Sequence, residues 1–138
     1  MYYEYNNIKL TIVYDIQYNS ANGIKRVIRL DRETIYEGLV LELRRGTLVL
    51  CVLGRLKEKK YGYSLVQDLK ENGLEIDQST LYPLLRRLEK QGLLDSDWSL
   101  EESRPRRYYT LSEDGRHVLG SLEKEWNKMV AAMKEMLK

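Results

Sequence analysis

Hydrophobic positions divide the chain into a leading stretch with a period of two and a longer stretch with helical periods. Ile8, Leu10, Ile12, Tyr14, Ile16 and Tyr18 alternate with mostly polar neighbours. That is the pattern of a half-buried strand. Residues 19–23, Asn-Ser-Ala-Asn-Gly, carry turn chemistry. Ile24, Arg26, Ile28 and Leu30 form a candidate second strand. Two strands alone make a hairpin that is marginal in water without a surface to pack on. Residues 1–30 therefore read either as a strand-like extension or as a disordered one.

From Asp31 the spacing becomes helical. Asp31 is a candidate N-cap, with Thr34 as an alternative. Ile35, Leu39 and Leu43 predict one helix, interrupted at Gly38 and Gly46. Thr47 is read as the cap of a second, very apolar helix over 48–56 that centres the core and ends in Lys57, Glu58, Lys59 and Lys60. Tyr61, Gly62 and Tyr63 read as a turn. Ser64 then opens a short helix with Leu65, Val66 and Leu69 inward, closed by Asn72 and Gly73.

The clearest helix lies within residues 77–92. Leu81, Leu84, Leu85 and Leu88 fall at i, i+3, i+4 and i+7, one buried face. Ser79, Thr80, Tyr82, Arg86, Arg87 and Lys90 make the opposite face. Asp77 or Ser79 caps its start and Gly92 stops it. Pro83 is then expected at the edge of the first turn, where a missing N–H matters least. Alone, such a segment is an ordinary solvated helix, and its neighbours decide otherwise.

Residues 93–99 alternate roughly, residues 100–105 form a polar turn, and residues 106–111 read as a second strand. Together they predict a two-stranded wing with Arg104, Arg106 and Arg107 towards its tip. Ser112 or Thr110 caps a final long helix, with Glu113 and Asp114 in its first turn. Leu119, Leu122, Trp126, Met129, Met133 and Met136 step by three and four residues, a heptad seam. A small winged domain cannot bury such a seam entirely. It is expected to pack against a second copy, partly with the helix around Ile35, Leu39 and Leu43.

Composition narrows the class. With 43% hydrophobic and 32% charged residues in 138, the chain is expected to be a soluble globular domain. The net charge is only +2, but residues 44–60 hold six cations against Glu58 alone, a candidate phosphate-facing patch. Cys51 is the single cysteine and sits in an apolar run, the place of a small core side chain. No secretory signal or bilayer-length apolar run is recognisable, so a cytoplasmic protein is expected. His117 is the only histidine. No nucleophile–base set, metal cluster or phosphate loop can be built, so neither an enzyme nor a cofactor is expected.

Three helices followed by a hairpin predict a mainly α fold with a small antiparallel wing: a winged helix-turn-helix over 31–111, with a long C-terminal dimerisation helix over 112–138. In that geometry the second helix of the turn enters the major groove of duplex DNA. Ser79, Thr80 and Tyr82 are then the base readers, while Arg86, Lys90 and the wing arginines grip phosphate.

Three stretches carry a family resemblance: Tyr61-Gly62-Tyr63, STLYPLLRRLEKQGLL at 79–94 and RRYYTLSEDGR at 106–116. They resemble the PadR family of bacterial transcriptional regulators over about residues 44–138. The resemblance implies a homodimeric repressor on an operator of twofold symmetry. Its DNA-binding residues carry over to Tyr61, Tyr63, Ser79, Thr80, Tyr82, Pro83, Arg86, Arg106 and Arg107. Ligand-sensing relatives hold planar compounds beside a tryptophan of the last helix. Trp126 stands in a similar place, either as part of an effector site for a small aromatic compound or as a plain interface anchor. The first 30 residues have no counterpart in the family pattern. The competing function is a winged-helix dimer that binds protein and not DNA.

Overall fold

The computed structural model describes four short backbone strands within residues 2–28, and residues 31–100 and 103–138. It divides into two compact units, residues 1–46 and 47–138. In the first unit, β1 (Tyr2–Tyr5) pairs antiparallel with β2 (Ile8–Thr11), and β3 (Tyr14–Gln17) with β4 (Lys25–Ile28). The expected single strand from Ile8 to Tyr18 is thus shared between two hairpins. The expected turn at residues 19–23 lies outside the described residues.

Helix α1 runs unbroken from Arg32 to Arg55. Asp31 caps it as expected: the Thr34 N–H donates to its carboxylate at 2.8 Å, and the Thr34 hydroxyl does the same at 2.8 Å. The break expected at Gly38 and Gly46 is absent, and Thr47 lies inside the helix. Glycine weakens a helix interior by roughly 0.5–1 kcal/mol, which does not terminate a helix whose neighbours favour it. The helix also stops before the lysines expected in its last turn.

Those lysines lead into β5 (Lys60–Tyr61), a strand too short to show any period. Helix α2 (Gly62–Glu71) follows directly. Gly62 and Tyr63 are therefore helical, Tyr61 is the N-cap residue, and Ser64 lies inside the first turn with its hydroxyl donating to the Tyr61 carbonyl at 2.8 Å. Helix α3 spans Gln78–Lys90. Strands β6 (Leu94–Ser99) and β7 (Arg106–Leu111) form the wing hairpin, and helix α4 (Glu113–Met136) ends the fold. The wing is part of a three-stranded antiparallel sheet in the order β5-β7-β6. No helix among the described residues is long and apolar enough to cross a membrane.

Helices α2 and α3 end alike. Gly73 and Gly92 take φ of 84° and 77°, the left-handed region open to glycine. In each case the next residue's N–H turns back to the last helical turn, Leu74 to the Leu69 carbonyl and Leu93 to Leu88. This is the Schellman arrangement, and it delivers Leu74 and Leu93 to the edge of the core.

The core of the second unit is almost entirely leucine. Val52, Leu53 and Leu56 come from α1 and its exit, Leu65 and Leu69 from α2, and Leu81, Leu84, Leu85 and Leu88 from α3. Leu94, Tyr109 and Leu111 enter from the sheet. Leu119 of α4 is only 3% exposed and belongs to this core, with Leu122 packed against it. The seam expected to serve a partner chain is thus divided. Its first turns lie over the chain's own sheet, and only Trp126, Met129, Met133 and Met136 extend past it.

The start of α4 is fastened to the end of α3. The Ser112 N–H donates to the Leu93 carbonyl at 3.1 Å, and its hydroxyl to the Gly92 carbonyl at 2.6 Å. That hydroxyl also caps α4 by accepting from Gly115 N–H at 2.9 Å. A Cβ on Gly115 would lie 2.0 Å from the Leu93 carbonyl oxygen, a backbone atom that cannot step aside. Gly115→Ala is expected to cost about 2–3 kcal/mol, the range of an overpacked core. Gly120→Ala is the control, because nothing lies within 4 Å of its added methyl group. Thermal unfolding of both variants tests this: equal melting temperatures would contradict the close approach.

Candidate nucleic-acid interface

Helix α3 is built to hold one face inward and offer the other. Its four leucines are buried, while Ser79, Thr80, Pro83, Arg86, Arg87 and Lys90 are exposed. Ser79, Pro83, Arg86 and Lys90 follow at i, i+4, i+7 and i+11, so they form one outward stripe with Thr80 and Arg87 flanking it. Hydroxyls occupy the start of the stripe and cations its end. Arg87 was not among the site residues expected from the sequence. The signal for it was its place one step off the leucine face.

Asp77 is the N-cap of α3. Its carboxylate accepts from Thr80 N–H at 2.8 Å and from the Ser79 hydroxyl at 2.5 Å. The Ser79 hydroxyl and then the Thr80 N–H hold this carboxyl below the usual range. With the cap at Asp77, Pro83 is the sixth helical residue and lies beyond the first turn. It removes one internal hydrogen bond, from the position that would reach the Ser79 carbonyl.

Tyr82 is half-buried, and its ring fills the space in front of Gly62. A Cβ there would meet the ring and its hydroxyl within 2.5–2.6 Å. Tyr82 therefore buttresses α3 on the start of α2, which limits the freedom expected of a base reader. A side chain at position 62 would force the Tyr82 ring to move, a pairing invisible in either segment alone.

Adjacent residues of a strand point to opposite faces, and this separates the two wing arginines. Arg106 and Tyr108 share the outer face, where Tyr61 is paired with Tyr108. The Arg106 guanidinium lies 4.5 Å from the centre of the Tyr61 ring, and Tyr61 also meets Tyr108 edge-on at 5.6 Å and Tyr63 at 6.5 Å. Tyr63 is half-exposed at 51%. Arg107 shares the inner face with Tyr109 and turns to α3, where it donates to both Glu89 carboxylate oxygens at 2.7 and 2.9 Å. It does not extend to the wing tip. Arg104 is exposed close to that tip, and residues 101–102 between the strands lie outside the described residues.

The basic run at 44–60 is not the open patch its charge count suggests. Arg55 forms a two-point pair with Asp68 at 2.7 Å for each contact, with Lys60 3.6 Å from the same carboxylate. The Arg55 guanidinium is the main reason the Asp68 carboxyl is held low. Lys57 meets Glu123 at 3.1 Å and Lys59 meets Asp97 at 2.6 Å. Among the described residues, Arg86, Arg87 and Lys90 have no acidic partner. Helix α3 thus carries three exposed cations without an acidic partner on one face.

Residues 49–121 match the model of the transcriptional regulator PadR-like family. The chain belongs to the PadR-like family. The matched span runs from within α1 to the first turns of α4 and so contains the core, α3 and the wing. This PadR-like chain is 46% identical to a PadR family transcriptional regulator from Eggerthella lenta, whose crystal structure it matches with a TM-score of 0.74 over 77% of this chain and 95% of that one. It is 35% identical to the transcriptional regulator Rv3488 of Mycobacterium tuberculosis over 56% of this chain and 74% of the relative. It is also 25% identical to Bacillus subtilis PadR, solved in complex with operator DNA, with a TM-score of 0.51 over 55% of this chain and 45% of that one. The winged-helix fold and the family expected from the sequence are therefore those of a transcription regulator.

The cap of α3 gives this regulator a testable dependence on acid. The Asp77 carboxyl is lower in the folded chain than its ordinary value. The stabilisation it brings is present above that ordinary value and is lost as pH falls through the folded one. Asp77→Ala is expected to lower stability by about 1 kcal/mol. Asp77→Asn should retain most of the cap while flattening its share of the acid dependence. Denaturant unfolding between neutral and acid pH would reveal a false assignment if Asp77→Ala and wild type coincided throughout.

Proposed function

We propose that this transcription regulator binds duplex DNA as a homodimer, with α3 in the major groove, and represses from an operator of twofold symmetry. The observation that carries the reading is the outward stripe of α3, where hydroxyls are followed by three cations without acidic partners. Thr80 is the principal base reader, since it is exposed on α3 and carries both a hydroxyl and a methyl group. Ser79 reads as an acceptor: its proton is directed to Asp77, while its lone pairs remain open to an adenine or cytosine amino group. Tyr82 and Pro83 shape the start of the stripe. Arg86, Arg87 and Lys90 grip phosphate, joined by Arg104 on the wing and by the Tyr61, Tyr63 and Arg106 cluster. Such a protein acts in the cytoplasm, with the DNA it reads.

Selection from a random duplex pool is expected to enrich a site with inverted half-sites. Arg86→Ala should weaken binding to all sequences and reduce the salt slope by about 0.9. Thr80→Ala should change the preferred base at one position of each half-site. Failure of the wild-type protein to retain any duplex at low salt would sink this reading in favour of a protein-binding module.

The second copy packs on the lower half of α4. Trp126, Met129 and Met136 are 36%, 50% and 75% exposed, and with Met133 they continue the seam beyond the chain's own core. Ile35, Leu39 and Leu43 of α1 are a second exposed apolar row. An aromatic or hydrophobic effector lodged against Trp126 would relieve repression only by favouring a dimer arrangement that fits DNA less well. Met133→Lys is expected to shift the protein to monomer in analytical ultracentrifugation and to weaken operator binding. In the dimer, flat aromatic compounds should quench Trp126 fluorescence. A dimer unaffected by Met133→Lys would refute this interface, and unchanged fluorescence at saturating compound would leave Trp126 as an anchor alone.

A further inference from the structure

The inner face of the wing holds a compact polar cluster between α3, β6 and β7. Arg107 donates to both Glu89 oxygens at 2.7 and 2.9 Å and, through Nε, to the Ser96 hydroxyl at 3.0 Å. The Ser96 hydroxyl in turn donates to Glu89. The same guanidinium lies 5.5 Å from the centre of the Tyr109 ring and 5.9 Å from that of Trp98, its cross-strand neighbour. The side chains of Arg107 and Glu89 are 34% and 26% exposed. One planar group thus joins the recognition helix to both strands of the wing.

We infer that Arg107 is a positioning residue that locks the wing to α3, and not a phosphate ligand. The inference rests on the DNA-binding reading above. Its charge is compensated at close range by Glu89, so releasing a phosphate counterion is not its contribution. A guanidinium forked onto a carboxylate and a hydroxyl fixes direction as well as distance. Without it the hairpin keeps the core contacts of Leu94, Tyr109 and Leu111 but loses this direct polar tie to α3. Operator contacts from Arg104 on the wing and from Arg86 on the helix would then no longer be held in one register.

The two roles predict opposite results for Glu89→Gln. If Arg107 grips phosphate, freeing it from Glu89 tightens operator binding and steepens the salt dependence. If it positions the wing, the same change weakens binding roughly tenfold, a loss of one decade in affinity, with the slope unchanged. Arg107→Lys keeps the charge but not the fork, and is expected to weaken binding similarly. Affinities of the full-length wild type, of both variants and of the charge-removing Arg107→Gln for the selected operator, measured by anisotropy across a salt series, decide between them. Hydroxyl-radical footprints add a control for folding: protection at the flanks touched by the wing should fade while protection at the centres of the half-sites persists. In the free protein, amide exchange in β6 and β7 should accelerate in both variants. Tighter binding by Glu89→Gln, a slope flattened by about 0.9 in Arg107→Gln, or footprints that fade uniformly would each overturn the assignment. A wild-type protein that binds no duplex overturns the DNA reading itself, and the exchange measurement then tests the lock alone.

Discussion

Burial of one face of α3 is the constraint on which the rest depends. Leu81, Leu84, Leu85 and Leu88 occupy positions that leave no rotational freedom to the helix. A turn about its axis would lift leucine into water and bring arginine or lysine inward, and both are costly. The outward stripe is therefore a by-product of the inward one. Everything around the helix refines this: Asp77 sets where it begins, Gly92 where it ends, and Tyr82 against Gly62 sets its seat on α2.

Electrostatics then decides which charges are available. By count, residues 44–60 are the most basic part of the chain, yet Arg55, Lys57 and Lys59 each face an acid from elsewhere in the fold. The exposed pairs of Lys57 with Glu123 and Lys59 with Asp97 contribute little to stability, typically under about 1 kcal/mol each. They nevertheless occupy cations of that basic run, whereas Arg86, Arg87 and Lys90 of α3 face no acid among the described residues.

Periodic signals were legible in the sequence and tertiary ones were not. The leucine spacing gave α3, the alternation gave the wing, and Asp31, Ser112, Gly73 and Gly92 marked helix ends where they indeed lie. The motifs at 61–63, 79–94 and 106–116 were specific enough to indicate the family. Strand β5 was missed because two residues carry no period, and its existence depends on the free edge of β7. The expected breaks in α1 failed because glycine ends a helix only when the chain turns left-handed there. Arg106 and Arg107 read as one basic pair, although the pleat assigns them to opposite faces. Leu119 fitted an intermolecular seam by spacing alone, and only the position of α4 over the sheet shows it to be internal.

The turn between α3 and β6 has a mechanical consequence. Gly92 and Leu93 terminate the helix with two carbonyls that are then taken up by Ser112, while Gly115 sits against the second of them. The joint lacks the slack that a longer side chain or an intervening loop would provide. The first turn of α4 is thereby held directly against the end of α3. The residues that set where the outward stripe stops are therefore the same ones that seat the start of the 24-residue α4.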